Sequence, residues 1–164
     1  MKKPPTLQAE LLQNVPFRTR AQEASLGILR TASLIRRELA GAVEPAGITP
    51  AQYNVLRILR GAGAAGLPTL AVRDRLLEAA PGITRLVGKL ERAGHIRRAR
   101  ATPDRRQVFC YITPRGLALL KRLDQRISEV DEFGGIGLSE RDQRTLISLL
   151  DRLRASMRAA QEGR

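Results

Sequence analysis

Arg85, Lys89 and Arg92 recur at the i, i+4, i+7 spacing that aligns side chains on one face of a helix. Ile83, Leu86, Val87 and Leu90, interleaved with them, repeat at the spacing of a buried stripe. One face can pack while the other carries cations into solvent. The basic run continues through Arg97, Arg98, Arg100, Arg105 and Arg106, so that from Arg85 to Arg106 eight cations stand against only Glu91 and Asp104. That is more positive charge than folding needs, and the chemistry it suits is ionic recognition of a nucleic-acid phosphate backbone.

Residues suited to other chemistry are sparse. A nucleophile needs a base and an orienting group beside it, and the chain has one histidine, His95, and one cysteine, Cys110. A metal site needs clustered ligands, so no metal, no cofactor and no enzymatic activity are expected. Gly61, Gly63 and Gly66 match the G-x-G-x-x-G dinucleotide fingerprint letter for letter, but that motif needs a strand before it and a helix opening within it. Here a helix precedes and Leu67-Pro68 follows, which predicts a flexible loop. Cys110 shares a strand face with Val108 and Ile112, which suits packing, with oxidant sensing as the alternative. His95, directly after Gly94, suits a hinge or a partly buried position. A lone cysteine excludes an internal disulfide and makes a reducing cytoplasm the default.

The 164 residues amount to about one domain, and the formal net charge of +13 asks for an anionic partner. Charge alone does not separate DNA from RNA or from an acidic membrane. A membrane partner would need a long apolar run or a helix basic along its whole polar face, and neither is present. The first residues lack the uninterrupted apolar stretch of a signal peptide.

These side chains need elements to hold them. Pro4, Pro5 and Pro16 make residues 1–16 a loosely held, flexible extension. Phe17, Ala21, Ala24, Ile28, Leu29, Ala32, Ile35 and Leu39 predict a long helix, ended by Gly41, Pro45 and Gly47. Thr49 before Pro50 is a cap followed by a proline at the first helical position, opening a helix over 50–60 that buries Tyr53, Leu56 and Leu59. A weaker helix over 69–77 follows, then the basic helix beginning at Pro81. Strands over 96–100 and 108–112 form a hairpin, with turn chemistry from Pro103 and Asp104. Thr113-Pro114 repeats the capping signal and opens a helix through Leu117, Leu120, Leu123, Ile127 and Val130. Ser139, three residues before Asp142, caps a last helix carrying Leu146, Leu149, Leu150, Leu153 and Met157. The fold class is mainly α with a small two- or three-stranded β wing. It divides as an extension (1–16), an N-terminal helix (17–45), a winged helix-turn-helix lobe (46–113) and C-terminal helices (114–164).

Ile83-Thr84-Arg85-Leu86-Val87, then Leu90-Glu91-Arg92-Ala93-Gly94, then Asp104-x-Arg106 leading to Ile112-Thr113-x-x-Gly116, resemble the MarR-type winged-helix transcription regulators. The resemblance runs from residue 17 to the last helix. It implies a sequence-specific regulator, a ligand-responsive repressor that binds double-stranded DNA at a pseudo-palindromic promoter site as a homodimer. The recognition helix would enter the major groove with Thr84 and Arg85 at base edges and Lys89 and Arg92 beside them. Arg106 would reach the minor groove or its phosphates, oriented by Asp104, with Arg98 and Arg105 completing the basic surface. The long terminal helices would form the dimer, and a small aromatic or anionic effector would lie between them and the DNA-binding lobe. Tyr53 and Arg30 are candidates for that pocket, though no motif places them. The alternative, from another class, is a basic module that organises DNA or binds RNA without sequence preference or effector.

The chain also departs from the family pattern. Where members carry small polar residues before the recognition helix, it reads Glu78-Ala79-Ala80-Pro81-Gly82, so Glu78 is expected to repel the DNA backbone. Arg73 replaces a small residue, and either snorkels to the surface or adds a phosphate contact.

Overall fold

Local capping signals set most of the helix starts. The computed structural model describes residues 5–78, 82–100, 107–133 and 137–163, the side chains of 131–133 apart. The chain divides into two units, Met1–Ile127 and Ser128–Arg164.

The first unit opens with a single helical turn, α1 (Leu7–Glu10), capped by Thr6. It is tied down: Arg30 Nε donates to the Glu10 carboxylate at 3.4 Å, and Leu7 lies 3.8 Å from where a Cβ on Gly27 would stand. The flexible extension expected here is thus held along part of its length, because Leu7 and Glu10 find partners that the prolines do not reveal. Thr19 accepts from the Gln22 N–H at 3.1 Å and opens α2 (Arg20–Val43). This helix starts later than Phe17 and runs through Gly41; the stop comes from a 3-10 turn at Glu44–Ala46 and the left-handed Gly47 (φ 80°). Of its 24 residues only Ala42 and Val43 are buried.

Thr49 and Gln52 form a reciprocal capping box at the start of α3 (Pro50–Ala62), with Thr49 N–H to Gln52 Oε1 at 2.9 Å and Gln52 N–H to Thr49 Oγ1 at 3.3 Å. This helix buries Tyr53, Val55, Leu56 and Leu59. The glycine run after it is a wound turn rather than a flexible loop: Gly63–Ala65 forms a 3-10 turn leading to β1 (Leu67–Pro68). Gly66 has φ 61°, and a Cβ there would stand 2.5 Å from the Tyr111 ring and 2.6 Å from the Cys110 carbonyl oxygen. Close backbone approach, not phosphate binding, requires this glycine.

Helix α4 (Thr69–Asp74) is shorter than 69–77. The Arg75 and Leu76 N–H groups drop to i→i−3 bonds, and the Leu77 N–H is taken by Asn54 Oδ1 at 3.1 Å, leaving the Leu77 side chain exposed. After α5 (Ile83–Arg92) come β2 (Ile96–Arg100) and β3 (Val108–Ile112). The antiparallel order is β1-β3-β2, with Cys110 opposite Leu67 on one side and Arg98 on the other. Helix α6 (Pro114–Phe133) opens at Thr113, whose Oγ1 accepts the Gly116 N–H at 3.1 Å. Its buried stripe is Leu119, Leu120, Leu123 and Ile127, while Leu117 is exposed. With Val43, Ile48, Val72, Ile83, Val87, Leu90 and Ile96, these residues make one core.

In the second unit a Ser139–Asp142 capping box starts α7 (Glu140–Glu162), which buries no residue; Leu146, Ile147, Leu149, Leu153 and Met157 are exposed. The architecture of the first unit is a winged helix-turn-helix, mainly α with a three-stranded sheet.

Candidate nucleic-acid interface

Helix α5 is built on the expected two faces. Ile83, Val87 and Leu90 are buried and Leu86 half-buried, while Thr84, Arg85, Lys89 and Arg92 are exposed. Its N-cap is Gly82, left-handed at φ 92° and with no side-chain cap, so the helix begins at Ile83 rather than at Pro81. Among the described residues Arg85 and Lys89 have no carboxylate partner. Arg92 folds back on its own helix, with Nε to the Gly88 carbonyl at 3.4 Å.

Arg98 occupies a different environment. Its Nε donates to Glu91 Oε2 at 2.7 Å and its backbone N–H donates to Glu91 Oε1 at 3.1 Å. Bonding to Arg98 holds the Glu91 carboxyl below the usual carboxylate range, and the same bond raises the Arg98 guanidinium. Arg98 therefore bridges helix and wing, and its charge is already matched before any phosphate arrives. Arg97, its neighbour, stacks 3.9 Å above the Tyr111 ring. Asp104, Arg105 and Arg106 lie outside the described residues.

Two of the departures before the recognition helix find partners. Glu78 pairs with Arg36 of α2 at 2.9 Å, so the carboxylate expected to repel a backbone is neutralised by a residue 42 positions upstream. Arg73 neither snorkels alone nor stands free: its guanidinium is bonded to Asp74 at 2.9 to 3.0 Å.

A cleft of about 600 Å³ opens between α4, α5 and the wing, lined by Thr69, Asp74, Thr84, Arg98, Gln107 and Val108 among others. Neither effector candidate lines it. Tyr53 is in the core with Arg57 5.9 Å from its ring, and Arg30 is engaged by Glu10. Thr69 donates to the Val108 carbonyl at 2.9 Å and lies 3.5 Å from Cys110 Sγ, pinning α4 to the central strand. Cys110 is fully buried, and burial pushes its thiol up, away from the reactive thiolate. His95 is half-buried; burial, then the positive charges of Arg115 and Arg122, lower its pKa. Its Nδ1 has no hydrogen-bond partner among the described residues. No three His, Cys, Asp or Glu side chains among the described residues come together as a metal site, and no described helix is long and apolar enough to cross a membrane.

A model of the MarR family matches residues 46–107, the stretch from the turn before α3 to the residue before β3. The HTH-type transcriptional regulator TtmR of Methylorubrum extorquens is 38% identical over 111 residues, 68% of this chain and 53% of the relative, so the chain spans about half of that protein's length. A MarR transcription factor from Planctomyces limnophilus is 32% identical, with 83% of this chain and 98% of that one covered and a TM-score of 0.63. The S. aureus MepR–DNA complex has the same fold, with a TM-score of 0.74 at 21% identity, covering 80% of this chain and 96% of its own.

Proposed function

The chain belongs to the MarR family of transcription regulators, and from that premise we propose that it is a ligand-responsive repressor that binds a pseudo-palindromic promoter site as a homodimer. The observation that carries this reading is the division of α5 into a buried apolar face and an exposed face bearing Thr84, Arg85, Lys89 and Arg92. A helix so divided fits the major groove with its N-terminal residues at base edges and its later cations at phosphates. The resemblance in sequence assigns the flanking minor groove to Arg106, oriented by Asp104, with Arg105 adding charge. Arg98 is reassigned: its guanidinium serves Glu91.

Dimer formation is supported by the apolar residues that α2 and α7 leave exposed, Ile28, Leu29 and Ile35 on one and Ile147, Leu149 and Met157 on the other. Exposed apolar surface of this extent on two long helices suits a second copy of the chain. For the small aromatic or anionic effector, the cleft beside Thr84, in place of the position between the long helices and the lobe that the resemblance implies, is the site we favour, because an occupant there would bear directly on α5.

Selection of bound duplexes from a random DNA pool tests the reading. Recovery of an inverted repeat with half-sites about one helical turn apart is the expected result. A pool without enrichment, bound as tightly as any other duplex or RNA, would instead establish a basic module held by charge alone.

A further inference from the structure

Helix α5 and the wing can read DNA together only if the angle between them is fixed, and the backbone joining them is short. Gly94 (φ 75°) turns the chain between Arg92, the last residue of α5, and Ile96, the first of β2. The Gly94 N–H bonds the Glu91 carbonyl at 2.8 Å and the His95 N–H bonds the Leu90 carbonyl at 2.9 Å, which closes the helix end; β3 is held by β1 and by Thr69, and the part of the wing left to be fixed against α5 is the exposed end of β2 beyond the buried Ile96.

Strand β2 is an edge strand, since the sheet order is β1-β3-β2. The Arg98 N–H points out of that edge, and Glu91 meets it: one carboxylate accepts the backbone N–H at 3.1 Å and the guanidinium Nε at 2.7 Å. Two bonds from one residue to both the backbone and the side chain of another define a direction, not just a distance. Both side chains are about a third exposed, 34% for Glu91 and 32% for Arg98, so the pair is shielded without being in the core. Glu91 is also an acid on the helix that carries the cationic face, where simple electrostatics argues against one.

We propose that Glu91 is a positioning residue for operator recognition: by chelating Arg98 it sets the angle between α5 and the wing. This rests on the DNA-binding reading above. Arg98 acts through Glu91, and neither needs to touch DNA. The consequence is a sign that charge alone does not give. Removing Glu91 raises the net charge by one and frees a guanidinium, yet it weakens binding where both elements must fit at once.

The test compares wild type, Glu91→Gln and Glu91→Ala on the selected inverted repeat and on a random duplex of equal length. Glu91→Ala should lose about tenfold on the repeat while random DNA binds equally or more tightly. Glu91→Gln, which keeps an acceptor oxygen for the Arg98 N–H, should fall between. Parallel tightening on both duplexes overturns the proposal, because Glu91 would then merely dilute positive charge; parallel weakening with a lowered unfolding midpoint overturns it too, as a loss of fold. A DNA-free arm uses spin labels at Lys89→Cys and Arg100→Cys in a Cys110→Ala background. The distance distribution should be narrow with Glu91 and broad in Glu91→Ala. A distance that stays narrow overturns the positioning role whatever the DNA results. A distance that broadens in a protein without sequence preference upholds the positioning of the wing and counts against the DNA reading alone.

Discussion

A Cβ on Gly116 would stand 2.3 Å from the His95 carbonyl oxygen and 2.9 Å from Ile112 Cγ1. That carbonyl also accepts the Thr113 N–H at 3.0 Å, while Thr113 Oγ1 donates to the Gly94 carbonyl at 2.7 Å and accepts the Gly116 N–H at 3.1 Å. The start of α6 is thus pressed against the turn that ends α5, and the spacing Thr113-x-x-Gly116 is the spacing of that contact.

Gly116→Ala is therefore expected to destabilise the fold by about 1–3 kcal/mol, the cost of forcing a methyl into backbone that cannot retreat. Urea unfolding would measure it. A midpoint equal to wild type would mean that the turn yields easily and that the contact holds nothing.

Neighbouring His95 should make stability depend on pH. Its folded pKa is lowered by burial and by Arg115 and Arg122, so around the ordinary histidine range the unfolded chain binds more protons. The contribution is complete above the unfolded pKa and is lost as pH falls through the folded one. Unfolding midpoints taken from about pH 8 down to about pH 5 should fall more steeply for wild type than for His95→Gln. Parallel curves would remove His95 from the account.

Features set by near neighbours in sequence were legible in it: the Thr49 and Ser139 caps, the apolar stripe of α5, the hairpin and the Thr113 start of α6. What was not legible depends on partners far along the chain or across a turn. Glu78 looked repulsive because nothing local signals Arg36, and α4 ends early because Asn54 of α3 takes the Leu77 N–H. Arg98 looked like one more cation because its distance from Glu91 is decided by the left-handed Gly94 between them. An acid at the end of a basic helix, followed by a glycine and an arginine on the next strand, is the signal that could have revealed it.

Cys110 is enclosed beneath Thr69 in the middle strand, so Cys110→Ala should cost about 1 kcal/mol and leave DNA release by peroxide unchanged. Peroxide that releases the wild type but not the variant would make the thiol a sensor despite its burial.

Helix α7 leaves Leu146, Ile147, Leu149, Leu153 and Met157 exposed and buries nothing. Ending the chain after Gly137 should abolish the folded dimer rather than loosen it. Sedimentation and circular dichroism on the shortened chain would detect this. A dimer that survives would place the subunit contact elsewhere, and a well-folded monomer would show that the rest of the chain folds without the dimer, which overturns the prediction.

Arg85 tests where sequence is read. It stands in the first turn of α5, exposed and without a carboxylate partner among the described residues, next to Thr84 and one helical turn before Lys89. A guanidinium at a base edge makes paired hydrogen bonds that only the right base completes, whereas one at a phosphate is indifferent to sequence. Arg85→Ala should then cost about 1–3 kcal/mol on the selected repeat and much less on random DNA, narrowing the ratio between them. Lys89→Ala should weaken both by similar factors and flatten the salt dependence by roughly one counterion. Competition binding at several salt concentrations separates the two. If Arg85→Ala instead behaves as Lys89→Ala does, with an unchanged ratio and a shallower slope, α5 grips the backbone and the bases are read by another part of the chain.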